Sequence, residues 1–505
     1  MRIGTTIFRR VPGAEGPLRG AFRRLSALAW GTNTRRTVTA LAVTLVFVVG
    51  YFAYFRGSPL RLLQISILAV SLVAIIIKPH FGVLALRVYR SLARGLHVES
   101  LIKGLGVTMT KSLGVFTLVG FIALLVTKKV RPVFGHKTQL VFLYGLFMAT
   151  LISAFAAMAW KNVWTHIFQM GQNVILYLLF VNLFADKKWL SRFIWVSLFS
   201  LLVACLSGVA SVALKGIVRA AGTLGNANGL AMVSNEAAAV LLVLTLAGSE
   251  LKKKAFYLGG LSLCLVTIIL TGSRGGLLTV IVTFTYQLIK RRKNLLPYAA
   301  AALVLVGAFV LIPGKYTARQ EEWFGAVISG ETKEATGGSR GYVYRSALEI
   351  FTRSPIIGVG PRTFGRIYQA EYAGEVRGPL SHVKVSHSGF LDILVENGIL
   401  GFVFFLGLLV STYLIFRANG RRCRRVGLPE YGLLNDVYEA WFVAVIVSGS
   451  FETIIRGGQS FFVALAAAAA LHRATVKIEA ARAALPSPEP LPPATSPAAD
   501  SPSTA

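Results

Sequence analysis

Long runs of residues with almost no charge constrain this chain more than anything else in it. Segments 38–55, 193–214 and 228–247 are apolar over the length a helix needs to cross a bilayer, roughly 17–25 residues. Backbone polar groups inside lipid must bond to one another, which leaves helices or a closed β-barrel. A barrel would need repeated alternating segments of about ten residues, and none are present. Charged residues make up only 15% of the chain, where a soluble chain would hold about a quarter. A soluble enzyme, a disordered scaffold and a disulfide-built module are excluded. The expected fold class is an all-α polytopic membrane protein.

Spans are expected at 38–55, 62–77, 138–159, 163–185, 193–214, 228–247, 255–270, 275–289, 295–312, 389–416, 435–452 and 459–472. Segment 112–126 makes a thirteenth if it crosses. The net charge of +32 is clustered between spans: eight arginines in the first 37 residues, Lys252–Lys254, Lys290–Lys293 and Arg421–Arg425. Short basic clusters beside spans mark cytoplasmic loops, where anionic inner-leaflet lipid attracts them. No aromatic-interleaved basic motif points to nucleic acid. Twelve spans, with 112–126 re-entrant or at the surface, keep both termini and the ten Lys/Arg of 78–137 on the cytoplasmic side.

That orientation divides the chain into a basic cytoplasmic tail (1–37), N-terminal membrane segments with a basic loop (38–137), a membrane core (138–312), an outward cap (313–388), C-terminal membrane helices (389–472) and a cytoplasmic tail (473–505). The tail should be disordered from about 485, being Pro/Ser/Ala-rich. The cap holds nine aromatic residues and mixed charges. Ser339 is placed to cap a short helix there with Val343, Ala347, Ile350 and Phe351 on one face. No cleavable signal pattern precedes span 38–55, which is expected to remain as an anchor. Cys205, Cys264 and Cys423 form no C-x-x-C or disulfide framework.

Four features reach the outward side. In 215–229 (KGIVRAAGTLGNANG), Arg219 precedes a Gly/Asn turn that exposes backbone N–H groups to an anion or simply reverses the chain. In 271–276 (TGSRGG), Arg274 stands at the mouth of two helices, either snorkelling or binding an anionic ligand. Arg340 begins the cap helix and has no claim on charge alone among ten basic residues. In 387–401 (HSGFLDILVENGILG), His387 sits at a helix start, where the helix dipole disfavours imidazolium. A neutral ring there can accept a proton, or it can be only an interfacial cap. Asp392 and Glu396 lie four apart on that helix, and Glu236 in span 228–247 is expected to pair with a basic group of a neighbouring helix. The seven histidines show no H-E-x-x-H or comparable metal spacing, and no cofactor is implied.

These features, in this order, resemble the O-antigen ligase and polymerase superfamily over roughly residues 138–472. His387-Ser388, nine residues, then Gly398-x-x-Gly401 matches the ligases' His-[Asn/Ser/Gln]-x9-Gly-x-x-[Gly/Thr/Tyr] signature. R-x-x-G-T-x-x-N-x-N at 219–228, the TGSRGG break, and Arg340 with SPIIGVGP at 354–361 are similar to the family's preceding blocks. The resemblance implies a multi-pass enzyme of the bacterial inner membrane. It would perform metal-independent, inverting glycosyl transfer from a polyprenyl (undecaprenyl) diphosphate-linked glycan donor to a sugar or lipid A core acceptor. His387 would activate the acceptor hydroxyl, and Arg274 and Arg340 would hold the diphosphate. Arg219, Asn226 and Asn228 complete the expected substrate-binding set.

A ligase and a repeat-unit polymerase of the same superfamily share all four features, and the complete histidine signature favours the ligase. A transporter of anionic lipid or glycan would carry repeated halves and interrupted helices, and no repeat is evident.

Overall fold

In a computed structural model, described over residues 71–92, 108–157, 160–291, 295–312, 314, 321, 339–372, 386–452 and 458–484, the chain is helical with no strand among the described residues. The helices, in chain order, are α1 (His80–Leu92), α2 (Met109–Val126), α3 (Lys137–Ala154), α4 (Trp160–Leu183), α5 (Lys187–Lys215), α6 (Ala227–Ala247), α7 (Leu251–Leu270), α8 (Arg274–Arg291), α9 (Leu296–Leu311), α10 (Ser339–Thr352), α11 (Phe364–Glu371), α12 (Gly389–Val426), α13 (Pro429–Gly449) and α14 (Gln459–Ala483). Seven of them (α2, α3, α5, α6, α7, α12 and α14) are long and apolar enough to cross a membrane. The expected span 38–55, the basic and Pro-rich tails and about half of the cap lie outside the described residues.

The core is centred on α6 and α14. Ala237–Val243 of α6 and Phe461–Leu471 of α14 are almost wholly buried. Small residues on both helices let backbones approach closely, the packing that association in lipid favours. Large rings of α4, α5 and α13 (Phe180, Phe193, Tyr438 and Trp441) fill the space beside them. Lipid-type side chains such as Leu303, Val306 and Val310 of α9 and Val403, Val410 and Leu414 of α12 face outward from the bundle.

The bundle has two chemically different ends. At one, basic residues are tied to acids: Lys290 lies 2.7 Å from Glu439 and 3.0 Å from Asp436, Arg291 lies 2.8 Å from Asp436, and Arg422 lies 2.9 Å from Glu479. The turns after α5 and α7 and the start of α12 lie at the other.

Within 78–126, where a basic connection with 112–126 re-entrant or at the surface is expected, residues 80–92 and 109–126 form two helices that pack antiparallel. His80 at the start of α1 stacks on Trp189 at the basic end, 4.1 Å between ring centroids. Ser91 near its other end accepts a 2.7 Å hydrogen bond from Thr223 in the turn before α6. Between them Arg87 makes a buried 2.9 Å ion pair with Glu236 of α6, donates to Ser460 of α14 at 2.8 Å and lies 4.8 Å from the centre of the Trp441 ring. Thus Glu236 has the basic partner expected of it. The helix is hidden in sequence because a span is recognised by lack of charge, and Arg87 is neutralised by an acid 149 residues away. Helix α2, 18 residues long, packs along α1.

Candidate functional site

Helix α5 ends at Gly216 in the left-handed conformation, and the chain turns back into the bundle instead of leaving it. Ala220 is fully buried and donates to Leu270 O at 2.9 Å. Arg219 Nε donates to Thr271 O at 3.0 Å, so its guanidinium lies at the C-terminal end of α7, where a cation is favoured. Its Nη2 reaches Asn228 Oδ1 at 3.4 Å. Asn226 is the N-cap of α6, its side chain accepting from Asn228 N at 3.1 Å. Part of the Gly/Asn turn's expected anion-binding surface is therefore spent on its own fold.

The TGSRGG break is a capped helix start. Ser273 Oγ accepts from Gly276 N at 3.2 Å, and Arg274 follows as the first residue of α8, half-buried. A Cβ on Gly275 would lie 2.7 Å from the Phe451 side chain. The glycine thus lets the α8 N-terminus touch the turn after α13. Asn228, Ser273, Gly275, Ser448 and Glu452 line one small cavity at this junction.

Glu452, in that turn, went unrecognised in sequence. One carboxylate oxygen accepts from Asn228 Nδ2 at 2.6 Å, and the other lies 3.8 Å from His387 Nδ1. Arg219, Asn228, Glu452 and His387 therefore form a single polar chain drawn from three separate parts of the sequence. An acid at the mouth of an apolar span was the available signal, the same reasoning that singles out Arg274.

His387 directly precedes Ser388, the N-cap of α12, as the sequence indicates. Its backbone is left-handed, φ +57°, and its ring is 42% exposed. Asp392 and Glu396 are only 1% and 2% exposed.

Helix α12 breaks at Gly398, φ +63° and ψ −171°. The freed backbone groups are satisfied by the SPIIGVGP segment. Ile399 and Leu400 donate to Pro355 O and Ile356 O at 2.8 and 3.2 Å, while Val359 and Gly360 donate to Val395 O and Glu396 O at 3.0 and 3.1 Å. Two blocks that read as separate motifs are the two halves of one backbone pairing. Helix α10 then packs Val343, Ala347 and Ile350 against Val359 and Val395. This docks the described part of the cap on α12. Arg353 binds Glu371 of α11 and holds its carboxyl below the usual range. Arg340 is the second residue of α10; its side chain lies outside the described residues.

Residues 259–406 match the family model for O-antigen ligase. That stretch is less than a third of the 505 residues and carries Arg274, Arg340, His387, Gly398 and Gly401. Arg219, Asn228 and Glu452 lie outside it, joined to the O-antigen ligase region by the contacts above. The match supports glycan transfer of the O-antigen ligase type by a multi-pass membrane protein. No curated protein matches the chain.

Proposed function

We propose that the chain transfers a glycan from a polyprenyl diphosphate carrier to an acceptor hydroxyl, with inversion and without a metal, at the outer face of the bacterial inner membrane. The observation that carries the reading is His387, half-exposed at the end of the bundle opposite the basic clusters, beside Glu452 and the turns of Arg219 and Arg274. A diphosphate leaves readily once its growing charge is neutralised, and the planar guanidinium fork suits that task. Arg274 and Arg340 take this role, and Arg219, already committed to Thr271 and Asn228, supports the turn before Arg274. Asn228 also bonds Glu452, so it orders the site as much as it meets substrate. His387 takes the acceptor proton as the hydroxyl attacks the anomeric carbon. Glu452 lies 3.8 Å from the Nδ1 side of the ring. The isoprenoid stays in lipid throughout, which accounts for a site at the bundle's edge.

The ligase reading is preferred to the polymerase on the histidine signature. The test is reconstitution of the protein in liposomes with an undecaprenyl diphosphate-linked oligosaccharide, an acceptor glycolipid and a chelator. Release of undecaprenyl diphosphate with one glycan joined per acceptor supports ligation. A ladder of lengthening glycan on the carrier would instead indicate polymerisation. No carrier release with either acceptor would overturn the reading.

A further inference from the structure

The loop that carries His387 is built around a carboxylate that the transfer reaction itself does not use. Asp392, in the first turn of α12, is 1% exposed, and its Oδ1 reaches back to accept from Ser386 N at 3.0 Å. The loop is closed twice more. Ser386 Oγ donates to Ser388 O at 2.9 Å, and Ser388 N donates to Ser386 Oγ at 3.2 Å. The helix joins the same ring, with Asp392 N donating to Ser388 O at 2.9 Å and Leu391 N to Ser388 Oγ at 3.4 Å. His387 stands at the apex with φ +57°, a region that residues other than glycine populate sparsely. Such a conformation persists only where its surroundings over-determine it. Ser388 alone fixes the side of the loop that enters the helix. Asp392 fixes the side that arrives from the cap.

We propose that Asp392 is a positioning residue: its carboxylate holds residues 386–388 in the turn that aims the His387 ring away from α12 and toward Glu452. The inference rests on His387 acting as the base. A 1 Å misplacement of a reacting group can cost about 10²-fold in rate, so the loss of this bond is read in turnover before it is read in binding.

The experiment is a double-mutant cycle in full-length protein reconstituted with undecaprenyl diphosphate-linked oligosaccharide and acceptor. Asp392→Ala is expected to lower kcat by about 10²-fold with donor KM little changed. Asp392→Asn keeps an oxygen acceptor at the same place and is expected to recover most of that loss. In a His387→Ala background, Asp392→Ala should cost nothing more, because groups that act as a unit are non-additive. A further drop of the same size on that background would show a general structural role and overturn the proposal. If Asp392→Ala fails to fold, Asp392→Asn decides alone: near wild-type turnover supports positioning, and turnover as low as that of His387→Ala overturns it. Full activity in His387→Ala would overturn the base assignment itself, whereas an inactive His387→Ala beside a fully active Asp392→Ala overturns only this inference.

Discussion

Replacing Gly358 by alanine should break the clamp between the cap and α12, and the structure sets the size of the effect. Gly358 has φ +78°, and a Cβ there would lie 2.3 Å from Glu396 O and 2.5 Å from Gly398 N. The left-handed backbone costs an alanine about 1–2 kcal/mol. Neither obstacle is a flexible side chain, so the two segments must separate. That weakens the neighbouring bonds Val359 N to Val395 O, Gly360 N to Glu396 O and Ile399 N to Pro355 O, each worth about 0.5–1.5 kcal/mol net. Losing one or two brings the expected destabilisation to about 1.5–5 kcal/mol. Gly341, in the first turn of α10 with nothing within 4 Å of its Cβ position, is the control; alanine there should change stability by about 1 kcal/mol or less. Both variants would be compared in detergent by the fraction surviving a heat step on size exclusion, and by protease cutting near residue 354. Gly358→Ala should lose material at a lower temperature and be cut sooner, and its transfer activity should fall even where it is folded. Equal survival of the two variants would refute the clamp.

Three further outcomes are expected. Arg274→Lys and Arg340→Lys keep the charge but lose the bidentate fork; each should insert normally and lose most transfer activity, and full activity in both would remove the diphosphate role. Cysteines at Gly337 and Lys253 should label from opposite sides of the membrane, and one at Lys111, near the start of α2, should label with Gly337, because α2 packs antiparallel to α1, whose C-terminal end meets the turn before α6; labelling of Lys111 from the Lys253 side would contradict that path. Glu236→Gln should cost about 3–5 kcal/mol by leaving Arg87 buried beside a neutral amide, and a variant with wild-type heat survival would show that the pair carries little.

Sequence patterns reveal features that are local and miss those that are assembled across the fold. Apolar runs announce α5, α6 and α7 because, Glu236 of α6 apart, their charges sit near the helix ends and leave a long uncharged stretch. The cap helix was legible because Val343, Ala347 and Ile350 recur on one face. His387 was legible because its neighbours in sequence are also its structural frame. Helix α1 was not, since Arg87 counts as a charge until Glu236 is seen beside it. Glu452 is visible only as an acid at the mouth of an apolar span; the packing of its turn on Gly275 is what brings it to Asn228 and His387. The glycines of 354–361 and Gly398 were visible as motifs, yet their purpose is a pairing between two backbones that no single segment displays.

The base assignment is the central claim, and single-turnover transfer by His387→Ala tests it most directly. The variant would be loaded with undecaprenyl diphosphate-linked oligosaccharide in liposomes, and carrier binding and glycan transfer would be followed in the same sample. Binding should match wild type because the arginines are intact, and the transfer rate should fall by about 10²–10⁴-fold. Transfer near the wild-type rate would contradict the account and leave His387 as a residue of the turn before α12.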